Sequence, residues 1–329
     1  MKKTFALLIL LTGFLFLAAC SKAADQDQGG NLGAASSPTA GVTEGTPAPE
    51  ELNVGILPAE SAIPLILAKE KGFFEAAGVK VTLQAFSSPN DRNAAVQSKE
   101  LDAVIGDVMT GAAFVDKGFP MKITSDISED FKILSSPNSG ITAMEQLGGK
   151  KISLVPNFIL EYIMDQFAAE YGFDYEIVEI PSFSGRSEAL MSDQIDGVVF
   201  TEPQAGMLAA QGAHLLGSSK EAGIKGGTLM FTEDAIAKHP AAVKAFYEAY
   251  NKAIDYMNET AASEYSDILS SYQFPEAIKD YLTGLNGTFQ HAGAIDQEQF
   301  DHIIGWTKDK GLISKSYSYD ELTDFSFLD

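Results

Sequence analysis

Residues 92–107 read RNAAVQSKELDAVIGD, and ninety-four positions further on residues 186–201 read RSEALMSDQIDGVVFT. Arg92 and Arg186, Ala95 and Ala189, Ser98 and Ser192, Asp102 and Asp196, and Val104 and Val198 coincide, while Val96/Leu190, Leu101/Ile195 and Ile105/Val199 exchange one apolar residue for another. An arginine-led helical pattern running into a short apolar strand is therefore written twice. Upstream, residues 53–58 (NVGILP) answer residues 151–156 (KISLVP), each an apolar strand closed by proline. Helical runs follow over 61–71 and 158–171, and both stop at a Gly-Phe pair, Gly72-Phe73 and Gly172-Phe173, where glycine suits the first residue past a helix. Alternating strands at 79–86 and 175–180 then lead into the arginine helices. Each half predicts a β-α-β-α-β unit, hence an open α/β sheet, and two such lobes leave a cleft between them.

The geometry of such sheets says where the arginines sit. A strand's carboxyl end, the loop after it and the next helix's N-terminus share one edge, and ligands bind there. Arg92 and Arg186, the only arginines, open their helices at that edge, whereas Asp102 and Asp196 begin strands at the opposite one. Each arginine either contacts a ligand or pairs with a carboxylate such as Asp107, Asp126 or Glu202, and the sequence leaves both readings open. The same edge carries Glu60 and Ser61, candidates for capping the first helix or touching ligand. Asp107 ends a strand before the apolar run 108–115 and either caps that helix or meets a ligand donor. In the second half, Asn157 opens a helix on which Phe158 and Tyr162 lie four apart, a packing face or a stacking surface; Phe183 is a second aromatic candidate. Residues 136–140 (SPNSG) read as the turn-rich crossing between lobes, and 226–231 as the strand that returns. The expected division is therefore 51–139 plus 230–329 for lobe I and 140–229 for lobe II.

The chain starts with Lys2 and Lys3 before an apolar run over 5–19 that ends Leu17-Ala18-Ala19-Cys20. Charged start, apolar middle and small-residue end are the parts of a secretory signal over 1–19, too short for an ordinary spanning helix. Cys20 is the sole cysteine, which excludes disulfides and cysteine-metal sites; placed at the cleavage point it resembles the bacterial lipobox, which implies lipidation of Cys20. Residues 20–50 are rich in Gly, Ala, Ser, Thr and Pro with hardly a large apolar side chain, the composition of a flexible tether. Formal net charge is −22, and −24 once Lys2 and Lys3 leave with the signal. Such a surface repels nucleic acid, so no nucleic-acid partner is expected.

Residues 68–75 (AKEKGFFE) followed by 78–81 (GVKV) resemble the signature of solute-binding proteins that serve the nitrate/sulfonate/taurine and thiamine-pyrimidine-precursor group of ABC importers. The resemblance continues through Ser87-Ser88, Asp91-Arg92, residues 101–104 (LDAV) and residues 195–203 (IDGVVFTEP), and covers nearly all of 52–258. It implies a two-lobed periplasmic-binding-protein-like fold (type II), with a ligand-contacting loop at the helix start of Asn157 and Phe158 and a match at Glu202; together with the cleft-edge positions, the candidate ligand contacts are Glu60, Ser61, Ser88, Arg92, Asp107, Asn157, Phe158, Tyr162, Arg186 and Glu202. The small hydroxyl residues often found after the first strand of the second lobe are replaced here by Asn157, Phe158 and Ile159.

Catalytic signatures are missing: there is no G-x-S-x-G, phosphate loop or dinucleotide glycine fingerprint, and the four histidines form no HxH or HxxxH pair. The same fold also serves a menaquinone-pathway dehydratase and the fungal pyrimidine synthase, so a secreted enzyme is the alternative from another class. The expectation is a monomeric, lipid-anchored extracytoplasmic binder, without cofactor or metal, whose partners are a small solute, an ABC importer permease with its ATPase, and the membrane. Sulfonate-like anions and thiamine-pyrimidine precursors are the two ligand classes in view.

Overall fold

The computed structural model describes residues 49–285 and 289–328; the signal, Cys20 and nearly all of the tether lie outside them. Among the described residues ten strands form two sheets. The first takes β1 (Glu50–Ile56), β2 (Val79–Ala85), β3 (Ala103–Asp107), β4 (Met121–Asp126) and β10 (Gly227–Thr232), in the order β2-β1-β3-β10-β4. The second takes β5 (Phe131–Ser135), β6 (Lys151–Leu154), β7 (Glu176–Glu179), β8 (Gly197–Thr201) and β9 (His214–Ser218), in the order β7-β6-β8-β5-β9. The two orders are the same pattern. In each, the fourth strand runs antiparallel to its neighbours and comes from across the chain: β10 enters the first sheet after the second is complete, and β5 enters the second directly after the first.

Local chemistry accounts for the elements. Leu52, Val54 and Ile56 alternate into the core of β1, and Val79 and Val81 do so in β2, which pairs with β1 in parallel from Glu50↔Val79 to Ile56↔Ala85. Helix α1 (Ile63–Glu70) carries Pro64 in its first turn, as a helix start tolerates, and is followed by the short helix α2 (Phe73–Ala76). Gly72 (φ 72°) ends α1, and Gly172 (φ 71°) ends α5 (Ile159–Tyr171); both adopt the left-handed conformation that the Gly-Phe pairs predicted. The arginine helices are α3 (Pro89–Gln97) and α6 (Phe183–Met191); α4 (Val108–Asp116) follows β3 and α7 (Gln204–Ala210) follows β8. After α8 (Glu233–Lys238) comes α9 (Pro240–Glu259), whose Val243, Phe246, Tyr247, Tyr250 and Ile254 bury one face under the first sheet with Phe74 and Phe231. A second core joins Ile152, Leu154, Ile163 and Phe167 to Val108 and Met109 of α4 and to Phe300 and Ile303 of a C-terminal helix, Gln297–Asp309.

The duplicated aspartates have a duplicated task. Asp102 accepts Asn53 N–H at 2.8 Å and returns its own N–H to Asn53 O at 2.8 Å. Asp196 does the same with Lys151, at 2.9 Å in both directions. Each locks the start of its helix-following strand to the first strand of its half, at the edge away from the cleft.

One expectation is corrected. Residues 132–135, read as part of the first lobe, belong to β5, which pairs with β8 from Phe131↔Thr201 to Ser135↔Gly197. The chain passes from sheet to sheet at residues 127–130 and returns at 219–226, so 136–140 is a turn inside the second lobe, where Ser136 and Asn138 donate to Asp193. Alternation identifies a buried strand but carries no information about which sheet receives it.

Candidate functional site

The C-terminal ends of β1 and β3 meet those of β6 and β8 around a small cavity of about 60 Å³. Its first-lobe wall includes Ser61, Arg92, Gly106 and Asp107; Glu129 comes from the crossing; the second-lobe wall includes Phe158, Phe183, Arg186 and Thr201. The lobes touch directly. Glu60 N–H donates to Glu202 O at 2.8 Å, Gln204 Nε2 donates to Pro58 O at 2.7 Å, and Ile159 N–H donates to Asp107 Oδ2 at 3.1 Å. An outer groove of about 370 Å³, lined in part by Asn90, Asn93, Asn157 and Thr110, opens on the same lobe boundary. Phe158 lines both spaces and stands between them.

The two arginines occupy equivalent places in unlike surroundings. Ser88 caps α3 and Ser182 caps α6, each through its hydroxyl, and the arginine follows four residues later. Arg92, 2% exposed, donates from Nη1 to Ile105 O at 2.6 Å and from Nε and Nη2 to Asn93 Oδ1 at 3.1 and 2.8 Å. It lies across Gly55, where a Cβ would come within 2.7 Å of Leu101 and 3.3 Å of Arg92 Cγ, so glycine there makes the approach possible. Burial pulls its guanidinium below the ordinary range, opposed by the charges of Asp107 and Glu129. Arg186, 1% exposed, donates from Nη1 to the carbonyls of Ile180 and Pro181 at 3.1 and 3.4 Å. Its guanidinium carbon lies 5.1 Å from the Phe183 ring centre and 4.7 Å from that of Phe200, and its buried Nε–H has no acceptor among the described residues. Burial alone pulls it down to about 10. The difference follows from the flanking residues: Gly106 and Asp107 in the first half stand where Phe200 and Thr201 stand in the second.

Asp107 is committed to the backbone. Its Oδ1 accepts Thr110 N–H at 2.8 Å as the cap of α4, and its Oδ2 accepts Ile159 N–H at the start of α5 in the other lobe. The capping reading of this residue thus holds and is extended, since the one carboxylate serves the starts of two helices at once. Asp107→Ala is expected to cost about 1–3 kcal/mol for the orphaned Ile159 N–H and about 1 kcal/mol more for the lost α4 cap. Asp107→Asn, which can still cap, should lose less. Urea midpoints of the three proteins check this, and equal midpoints would refute it.

A family model described as NMT1/THI5 like matches residues 60–262. The chain belongs to the NMT1/THI5-like family. A Bacillus subtilis (strain 168) protein named for aliphatic sulfonate binding is 30% identical over 239 residues, covering 67% of this chain and 70% of its own. The 4-amino-5-hydroxymethyl-2-methylpyrimidine phosphate synthase THI11 of Saccharomyces cerevisiae is 28% identical over 218 residues, and the chain spans 63% of that protein's length. Among solved structures, the alkanesulfonate-binding protein SsuA of Xanthomonas axonopodis pv. citri bound to MOPS superposes with a TM-score of 0.73 at 16% identity, covering 85% of this chain and 99% of that one. The fold is thus the two-lobed α/β architecture of periplasmic binding proteins.

In this NMT1/THI5-like chain the remaining sequence candidates divide. Ser61 is on the wall, its hydroxyl donating to Glu129. Glu60 and Glu202 lie off the cavity but at the lobe contact: Glu60 accepts Tyr281 Oη–H at 3.1 Å, and Glu202, fully buried, is paired with Lys132 and accepts Gly206 N–H at 2.7 Å. Burial, with Glu202 and Asp130 nearby, pushes the Glu60 carboxyl up to about 7. Ser88 is a cap and is not on the wall. Asn157, at φ 70°, is exposed on the outer groove, and Phe158 is partly buried on the wall. Tyr162 is not at the cleft: it packs edge-on against Trp306, 5.7 Å between ring centres, inside the second core. One helical turn from Phe158 carries it past the cleft edge and down the helix. Sequence reasoning missed Glu129, Phe131 and Thr201. Glu129 sat in a stretch, SEDF, that reads as a polar loop; the signal was an acidic pair between two apolar strands.

Proposed function

We propose that this protein is a solute-binding component of an ABC importer that captures a small solute bearing an anionic group, of the nitrate, sulfonate or taurine kind, between its lobes. Arg186 carries the reading: a buried cation on the cleft wall with an unused donor and, among the described residues, no carboxylate within ion-pair distance. A charge held that way is costly until an anion supplies its acceptors. The direct contacts between lobes describe a closed arrangement, and the two crossings, 127–130 and 219–226, are where rotation would open it. A solute that touches both walls favours the closed state by its differential affinity, and the permease with its ATPase reads that state. The protein binds its solute without altering it, acts as a monomer, and is held at the outer face of the membrane by lipid on Cys20.

A second reading has its own observation. Asp107 and Glu129 face Phe158 and Phe183 across the cavity, acceptors opposite aromatic rings, which suits a heteroaromatic such as a thiamine-pyrimidine precursor.

Mass spectrometry of the tagless protein from the membrane fraction tests the proposal. The expected spectrum, taken under native conditions, holds a retained organic anion on a chain that begins at an acylated Cys20. A retained aminopyrimidine would select the second reading, and a chain starting elsewhere would remove the anchor.

A further inference from the structure

Four ionisable side chains line the cavity: Arg92, Arg186, Asp107 and Glu129. They balance at two positive and two negative when Glu129 is ionised. Arg92 and Asp107 spend their hydrogen bonds on the protein, through Ile105 O and Asn93 on one side and Thr110 and Ile159 N–H on the other. That leaves, among the described residues, Arg186, whose Nε–H has no acceptor, and Glu129, which accepts only the Ser61 hydroxyl. An anion placed at Arg186 puts three negative charges against two positive ones around a space of about 60 Å³ whose arginines and Asp107 are buried. In a site of low effective dielectric, taking a proton onto a carboxylate costs less than holding the surplus charge.

We propose that the cleft binds its anion with Glu129 protonated, the anion at Arg186 and the proton on Glu129, so that one proton is taken up wherever Glu129 starts ionised. The inference rests on the solute-binding reading above and adds to it a coupled partner. The groups that face Glu129 are known from each side. Ser61 and Glu60 come from the segment opening α1, Arg92 from α3, Asp107 from the end of β3, and Tyr250 from α9, with Asp126 of β4 acting on the same tyrosine. Only Arg92 among them is a cation, and it already serves Asp107. Burial pushes the Glu129 carboxyl up to about 8, so it changes state near neutrality before any anion arrives. Glu60 is the competing site, but it lies off the cavity and against Tyr281.

The sign follows from linkage. A bound anion raises the Glu129 pKa further, so anion affinity is level below about 8 and falls as pH climbs above it. Calorimetric titration of the mature protein with methanesulfonate, taurine, benzenesulfonate and nitrate, from about pH 6.5 to 9.5, checks this. The expected result is an affinity that drops towards tenfold per pH unit at the alkaline end. Heats measured at about pH 9 in two buffers of different ionisation enthalpy should show roughly one proton taken up per anion. Glu129→Gln should flatten the profile and bind more tightly than wild type at high pH, while Glu60→Gln keeps the wild-type slope. A level profile, or proton release, overturns the coupling and leaves the solute-binding reading standing. Binding of 4-amino-2-methylpyrimidine in place of every anion overturns the coupling and selects the heteroaromatic reading. Failure of all these solutes to bind overturns both.

Discussion

Arg92→Met should destabilise the protein by about 3 kcal/mol, the low end for removing one partner of a buried charge set, whether or not any ligand is present. The guanidinium donates to Ile105 O at 2.6 Å inside the first sheet, and its charge offsets Asp107 and Glu129. Methionine fills the volume but supplies neither. Ile105 O loses a charge-assisted bond and Asp107 loses the nearest opposite charge while still tied to two helix N-termini. Glu129 can relieve part of the strain by taking a proton, which is why the low end is expected. Urea midpoints of wild type and variant, measured without added solute, decide the matter; an unchanged midpoint with lost binding would instead make Arg92 a ligand residue.

What the sequence revealed and what it hid divide on physical lines. The echo was legible because its identical positions hold backbone geometry: Asp102 and Asp196 pin equivalent strands with the same pair of bonds, and Gly72 and Gly172 end equivalent helices in the left-handed conformation. Such tasks constrain the residue type locally, so they leave a pattern. The partner of β5 left none, since a strand buried on both sides looks alike in either sheet. Site residues fell between the two cases. Arg92 and Arg186 were found by position, yet their roles are set by neighbours that differ: Pro89, Asn93, Gly106 and Asp107 in one half against Phe183, Ser187, Phe200 and Thr201 in the other. Glu129 was invisible because its meaning depends on a crossing whose location the sequence misplaced. Of the two readings of Tyr162 the packing one holds: spacing by four puts two rings on one face without saying that the face leaves the cleft after one turn.

Arg186→Met should behave in the opposite way to Arg92→Met, losing ligand while keeping or gaining stability. The slot between Phe183 and Phe200 is apolar, and methionine sulfur packs well against aromatic rings. Removing a buried cation that lacks a carboxylate partner also removes its desolvation cost, so the ligand-free melting temperature is expected to hold or rise. Binding of a sulfonate should weaken by about 1.5–3 kcal/mol, the worth of a hydrogen bond to a charged group, which is roughly ten- to hundred-fold in affinity. Arg186→Lys keeps a charge but not the planar fork, and should fall between the two. The heteroaromatic reading makes the contrary forecast, since an aminopyrimidine would take its bonds from Asp107 and Glu129 and gain from the loss of a nearby cation. Titrating wild type, Arg186→Met and Arg92→Met against benzenesulfonate and an aminopyrimidine therefore separates the cases. Full sulfonate affinity in Arg186→Met would remove this residue from the site and with it the argument for an anion.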